Sequence, residues 1–173
     1  MNAKLPWAAV LFAVVTLAGC SDSPDASAAL APEPSRVEER VFLTLDDDFM
    51  ADSSGAKGPT FHVTAGKTVG LHVQNEGAVV HEVMFGRNVE TEDGMAHGYG
   101  ESLFENVGAD VFVYQPAKTE VATEHGLAEI EVGAGGQVWI RAMFPAEMKG
   151  TWEIGCFVPG HFEEGMKATL IIE

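Results

Sequence analysis

Three side chains near the C-terminus have types and spacing that point to metal chemistry. Residues 156–166 read Cys-Phe-Val-Pro-Gly-His-Phe-Glu-Glu-Gly-Met, placing a thiol at Cys156, an imidazole at His161 and a thioether at Met166. Soft sulfur donors with imidazole select copper among the common metals, and a thioether has little use for zinc, calcium or magnesium. The other cysteine, Cys20, ends an N-terminal apolar run. It is expected to be consumed there, which leaves Cys156 a single thiol in an oxidising compartment. Metal ligation is the best reason for a lone thiol in that setting.

A loop of this kind needs a further donor and a rigid frame. In Val79-Val-His81-Glu-Val-Met-Phe85 the imidazole of His81 is in phase with Val79, Val83 and Phe85. In a strand it therefore points into the apolar face. His62 and His72 alternate out of phase with their apolar neighbours, so both are expected to face solvent. With His81 the donor set is two imidazoles, a thiolate and a weak axial thioether, the ligand list of an electron-transfer copper site.

The frame reads as strands. Period-two apolar faces occur at Val41, Leu43 and Leu45, at Phe61 and Val63, and at Val69, Leu71 and Val73. They recur at Val138, Ile140, Ala142 and Phe144, at Trp152, Ile154 and Cys156, and at Leu170 and Ile172. Leu127 to Val132 alternates weakly. Helical period is almost absent. The expectation is an all-β, Greek-key β-sandwich of seven to eight strands. Residues 87 to about 127 interrupt it as a long, poorly patterned insert with one apolar run, Val111 to Tyr114, and a helical turn expected within 101–107. Met95 and His97 in this insert, with Tyr99 and His125 nearby, are candidates for docking a weak second copper ion. Asp46, Asp47 and Asp48 read as a solvated turn.

Asn75-x5-His81 followed by Cys156-x4-His161-x4-Met166 resembles the cupredoxins, the type 1 blue-copper proteins of the plastocyanin, azurin and rusticyanin kind. Gly66-Lys67-Thr68-Val69, Gly150 to Cys156 and Pro159-Gly160-His161 support the likeness, which covers nearly all of residues 60–173. The resemblance implies one type 1 copper, with His81, Cys156 and His161 as equatorial ligands and Met166 as the axial one. It also implies an apolar patch at the exposed edge of His161, with Phe162 in it, where partners dock. Family members commonly carry Asn or Ser after the first histidine, whereas this chain has Glu82. Glu163 and Glu164 add acid to the ligand loop. Carboxylates facing the metal would favour Cu(II) and lower the potential.

At the other end, Lys4, the apolar run Trp7 to Leu17 and Leu17-Ala-Gly-Cys20 resemble the signal and lipobox of bacterial lipoproteins. The resemblance implies removal of residues 1–19 and lipid on Cys20, with Ser21 pointing to the outer membrane in a Gram-negative host. Residues 20–35, rich in Ser, Ala and Pro, read as a flexible tether. Residues 36–173 then form one domain. Removing Lys4 from ten Lys plus Arg leaves nine against 26 Asp plus Glu, a formal charge of −17. Such a surface repels nucleic acid and steers basic partners.

Taken together, these features describe a monomeric, lipid-anchored periplasmic electron carrier exchanging electrons with a c-type cytochrome or a reductase. The alternative is a periplasmic copper-binding protein for resistance or delivery. A multicopper enzyme would need His-x-His pairs or a histidine beside the type 1 cysteine. Cys156 is flanked by Gly155 and Phe157, and no His-x-His occurs, so the chain is not expected to be an enzyme.

Overall fold

A computed structural model describes residues 30–114, 119–123 and 125–173. The stretch expected to be a signal and lipobox, including Cys20, lies outside the described residues. Twelve strands are present among them: β1 (Glu39–Leu45), β2 (Met50–Ala51), β3 (Thr60–Val63), β4 (Thr68–Asn75), β5 (His81–Glu92), β6 (Met95–Ser102), β7 (Ala109–Tyr114), β8 (Thr119–Thr123), β9 (Leu127–Val132), β10 (Gln137–Met143), β11 (Gly150–Cys156) and β12 (Lys167–Ile172). They form two sheets, in the orders β2-β1-β4-β10-β7 and β3-β12-β11-β5-β9-β8, with β6 paired to β5. The β1/β4 and β3/β12 pairs are parallel, and the others are antiparallel.

Each alternating face found in the sequence lies in one core between the sheets. Val41, Leu43, Leu45, Val69, Leu71, Val73, Val138 and Ile140 meet Val83, Phe85, Ile130, Val132, Trp152, Ile154, Leu170 and Ile172. Because side chains alternate strictly along a strand, the same phase that buries Val83 and Phe85 buries His81. The all-β sandwich stands, and its strand number exceeds the expected seven to eight because the insert is itself mostly strand. Residues 87–127 contain the second half of β5 together with β6, β7 and β8. The β5–β6 stretch escapes a periodicity test because the second half of β5 is exposed on both faces. Its signal was local: Asp93 and Gly94 both take positive φ, +53° and +85°, as a two-residue hairpin turn demands. The insert also feeds the core, since Leu103 and Phe104 are fully buried. Residues 103–106 form turns rather than a helix.

Two further expectations are corrected on the outer face of β4 and β10. His72 is buried, not solvent-facing. It packs against Trp139 at 4.8 Å between ring centroids and against Phe42 at 5.8 Å. The cover comes partly from residues 30–35, assigned above to the tether. The Ala31 N–H donates to Gln137 Oε1 at 2.7 Å, Trp139 Nε1 donates to the Ala31 carbonyl at 3.2 Å, and Arg141 Nη1 donates to the Ser35 carbonyl at 2.7 Å. Ala31 and Pro34 are buried, so the packed domain begins before residue 36. His62 is exposed as expected, 3.6 Å from a Glu173 carboxylate oxygen.

Candidate metal centre

The site lies at one end of the sandwich, where β5 begins and β11 stops. Register places Cys156 opposite Val83, which brings His81, two residues upstream, beside the start of the loop after β11. His81 is held from behind by Asn75. Its buried amide donates to the carbonyls of Val79 and Val132, each at 2.7 Å, and its Oδ1 accepts from the Gly77 N–H at 2.9 Å. Asp47 supports the same turn, accepting from the Ala78 N–H at 2.6 Å. The acidic run at 46–48 thus helps shape the turn that carries a donor. Its spacing in the sequence offered no signal for that role, because the contact is long-range.

The second half of the site is the loop from Phe157 to Met166. It is closed by its own backbone: the N–H of His161 donates to Val158, that of Glu164 to Gly160, that of Gly165 to Phe162 and that of Met166 to His161. Gly160 and Gly165 take φ of +91° and +98°, which glycine permits without strain. The Cys156 N–H donates to the Met166 carbonyl at 3.1 Å, so the strand end and the loop end are tied together. Met166 is fully buried.

The donors converge. Cys156 Sγ lies 3.5 Å from His161 Nδ1 and 3.8 Å from His81 Nδ1, and the three ligand atoms lie within 4.8 Å of one another. A first-row ion bonded at about 2.0 Å to nitrogen and about 2.3 Å to sulfur would hold such atoms about 3.7 Å apart at a trigonal angle. The donor set fits copper: thiolate, two imidazoles and a thioether. His81, Cys156, His161 and Met166 form a type 1 copper-like site. His81 and Cys156 are fully buried while His161 is partly exposed, so His161 is the donor nearest water.

The surroundings suit these roles. Burial pushes the Cys156 thiol up, opposed by backbone N–H groups of Glu82 and Val158 directed at the sulfur. A metal must therefore displace a proton from it. Burial and the adjacent His161 lower His81, favouring the neutral ring that a metal needs. His81 Nε2 is buried without a hydrogen-bond partner.

Of the acids near the site, Glu82 and Glu163 are engaged elsewhere, while Asp46 and Asp47 lie close enough to His81 to favour its protonated ring. Glu82 points to the outer side of β5, opposite Glu131, and burial with the neighbouring Glu129 holds its carboxyl well above the usual carboxylate range. Glu163 is turned to β6, where its carboxylate accepts from the Ala96 N–H at 2.7 Å, a bond that holds it below that range. Phe162 is half-buried, stacked on Phe157 (5.0 Å, 12°) beneath Lys167. Exposed apolar side chains next to the donors in the chain are Val79 and Val80, each 45% exposed, just before His81, and Pro159, two residues before His161. Met95 and His97 lie exposed on β6. Among the described residues, the one group of three or more His, Cys, Asp or Glu donors is that of His81, Cys156 and His161. His125 lines a hollow with Tyr99, Ser102 and Ala128.

Comparison with solved structures decides the fold. A multicopper oxidase from Campylobacter jejuni superposes with a TM-score of 0.51 at 12% identity, over 83% of this chain and 31% of its own. The chain has a cupredoxin fold. Auracyanin from Roseiflexus castenholzii (TM-score 0.48, 19% identity, 79% of this chain and 98% of its own) is also similar. So is rusticyanin from Thiobacillus ferrooxidans (0.44, 15%, 78% and 76%). At such identities the likeness is one of cupredoxin architecture alone. No family model and no curated protein matches the sequence.

Proposed function

We propose that this cupredoxin domain is a single-electron carrier of the bacterial cell envelope. Copper, when bound, supplies reversible Cu(II)/Cu(I) exchange. The chain's own part is to hold the donors in one arrangement. Cys156 and His81 are fixed by strand register, His161 and Met166 by the hydrogen-bonded loop, so little has to rearrange when an electron arrives. The observation that carries this reading is the convergence of both Nδ1 atoms on one buried thiol sulfur, at 3.5 and 3.8 Å.

Electrons enter and leave through the His161 edge in this reading. It is the partly exposed donor, with exposed Pro159 two residues before it, and its ring lies 5.3 Å from that of His81, which exposed Val79 and Val80 precede. The partner is a basic redox protein such as a c-type cytochrome or a reductase. The lipobox-like Leu17-Ala-Gly-Cys20 supports anchoring at the periplasmic face of a membrane, through lipid on Cys20. The sequence argues against turnover as an oxidase, because no His-x-His pair supplies a further copper cluster.

The deciding experiment is titration of the apo-protein with Cu(II). One equivalent should produce an intense visible thiolate-to-copper band that disappears in Cys156→Ser. Copper uptake without that band would overturn the reading. A second reading, copper delivery or resistance, draws on Met95 and His97, a thioether and an imidazole exposed two residues apart on β6. It requires a second bound copper that Met95→Ala removes.

A further inference from the structure

The β5–β6 hairpin has no part in the donor set, yet it touches the ligand loop on both sides of His161. β5 leaves its partner β11 at Gly86 and from there pairs with β6. The hairpin lies back over the outer face of its own sheet. A Cβ at Gly98 would sit 3.7 Å from Met84 Cε, and the Ala96 N–H reaches Glu163 in the ligand loop at 2.7 Å.

Between these points Tyr99 is seated in a slot made by two glycines. A Cβ at Gly86 would come within 2.5 Å of Tyr99 Cβ, and one at Gly155 within 2.6 Å of Tyr99 Oη. Neither position tolerates a side chain while Tyr99 is there. The ring meets Phe157 edge-on at 4.9 Å and 90°, and the hydroxyl donates to Glu153 at 3.2 Å. Phe157 follows Cys156 directly and is itself stacked on Phe162, which follows His161. The rings of Tyr99, Phe157 and Phe162 thus link the hairpin to the residues next to two of the donors.

We propose that the β5–β6 hairpin is a brace for the metal site, with Glu163 and Tyr99 as positioning residues that set the Cys156–Met166 loop. The proposal rests on the copper reading above. Backbone hydrogen bonds close the loop on itself and tie its end to Cys156, but among the described residues none of them reaches the β5–β6 hairpin. The carboxylate bond from Glu163 and the Tyr99–Phe157 contact do. Charge on Glu163 is not required, only an acceptor for the Ala96 N–H.

Two measurements test this separately from the copper reading. In the apo-protein, Glu163→Ala should raise amide exchange at Ala96 about tenfold, as expected for loss of one hydrogen bond that leaves its donor unpaired. In the copper-loaded protein, the same variant should release copper to a chelator about tenfold faster and shift the thiolate-to-copper band. Glu163→Gln, which keeps a carbonyl acceptor, should restore most of both. Tyr99→Phe should stay near wild type and Tyr99→Ala should behave like Glu163→Ala. Faster exchange at Ala96 with unchanged copper release and an unchanged band would overturn the proposal. So would unchanged exchange in Glu163→Ala. A wild-type chain that forms no thiolate band overturns the copper reading instead, and the Ala96 measurement still reports on the brace.

Discussion

Asn75 holds three backbone groups with one side chain, and each of those groups belongs to the turn or strand that sets His81. The carbonyls of Val79 and Val132 and the N–H of Gly77 all lose a partner if the amide is removed. A buried polar group left unpaired costs about 1–3 kcal/mol. Asn75→Ala should therefore destabilise the apo-protein by about 3 kcal/mol, read by denaturant unfolding, and should weaken copper binding through a loosened His81. Asn75→Asp keeps the acceptor for Gly77 but removes both donations, so it should not rescue. At this scale the sequence was most informative about donors. Cys156, His161 and Met166 stand out by type and spacing, and His81 by phase. What it could not show were partners reached across the fold, such as Asp47 on Ala78 or Glu163 on Ala96, because no local pattern couples residues 31 or 67 positions apart.

Strands in this protein carry information in their faces, and the faces explain both the successes and the misses. Inner faces of β1, β4, β10, β11 and β12 alternate cleanly and were legible. The outer face of β4 reads as solvent-facing because His72 alternates with apolar residues, yet Trp139, Phe42 and the 30–35 segment cover it. Burial lowers the His72 pKa below its usual 6.5, with the Gln137 hydrogen bond opposing. A depressed folded pKa means the unfolded chain binds the proton more readily. Stability is therefore full above pH 6.5 and is lost as pH falls from there through the folded value. His72→Gln should flatten the acid side of the stability profile relative to wild type, measured by thermal melts across that window. A second element-scale effect is a row of like charges. Glu82, Glu131 and Glu120 are direct neighbours across β5, β9 and β8, an arrangement that destabilises a sheet. Glu131→Lys turns the repulsion with Glu120 into an attraction and removes a carboxylate from beside Glu82, whose carboxyl is held well above the usual range, and should raise stability by about 0.5 kcal/mol in low salt, with the gain shrinking as salt is added.

For the whole molecule, the balance of 26 acidic against ten basic residues is the property a distant partner would sense first. The sandwich itself does not depend on that charge. Its core is apolar, and ion pairs such as Arg40–Glu33 and Lys67–Glu38 lie on the surface, where each contributes little. Charge excess is thus available for steering rather than for folding. An acidic surface raises the encounter rate with a cationic redox partner at low ionic strength, and screening removes the benefit once the Debye length falls to about 8 Å near physiological salt. The bimolecular rate with a basic cytochrome should therefore fall steeply as salt is raised, while the rate with an acidic one should rise. Because docking is proposed at the His161 edge, Val80→Asp should, in salt high enough to screen the added charge, slow exchange with the basic partner by desolvation and misfit there, yet leave the visible copper band in place. Val80→Asp with wild-type kinetics would place the exit elsewhere on the molecule. A salt-independent rate in the wild type would mean that the net charge serves solubility and not encounter.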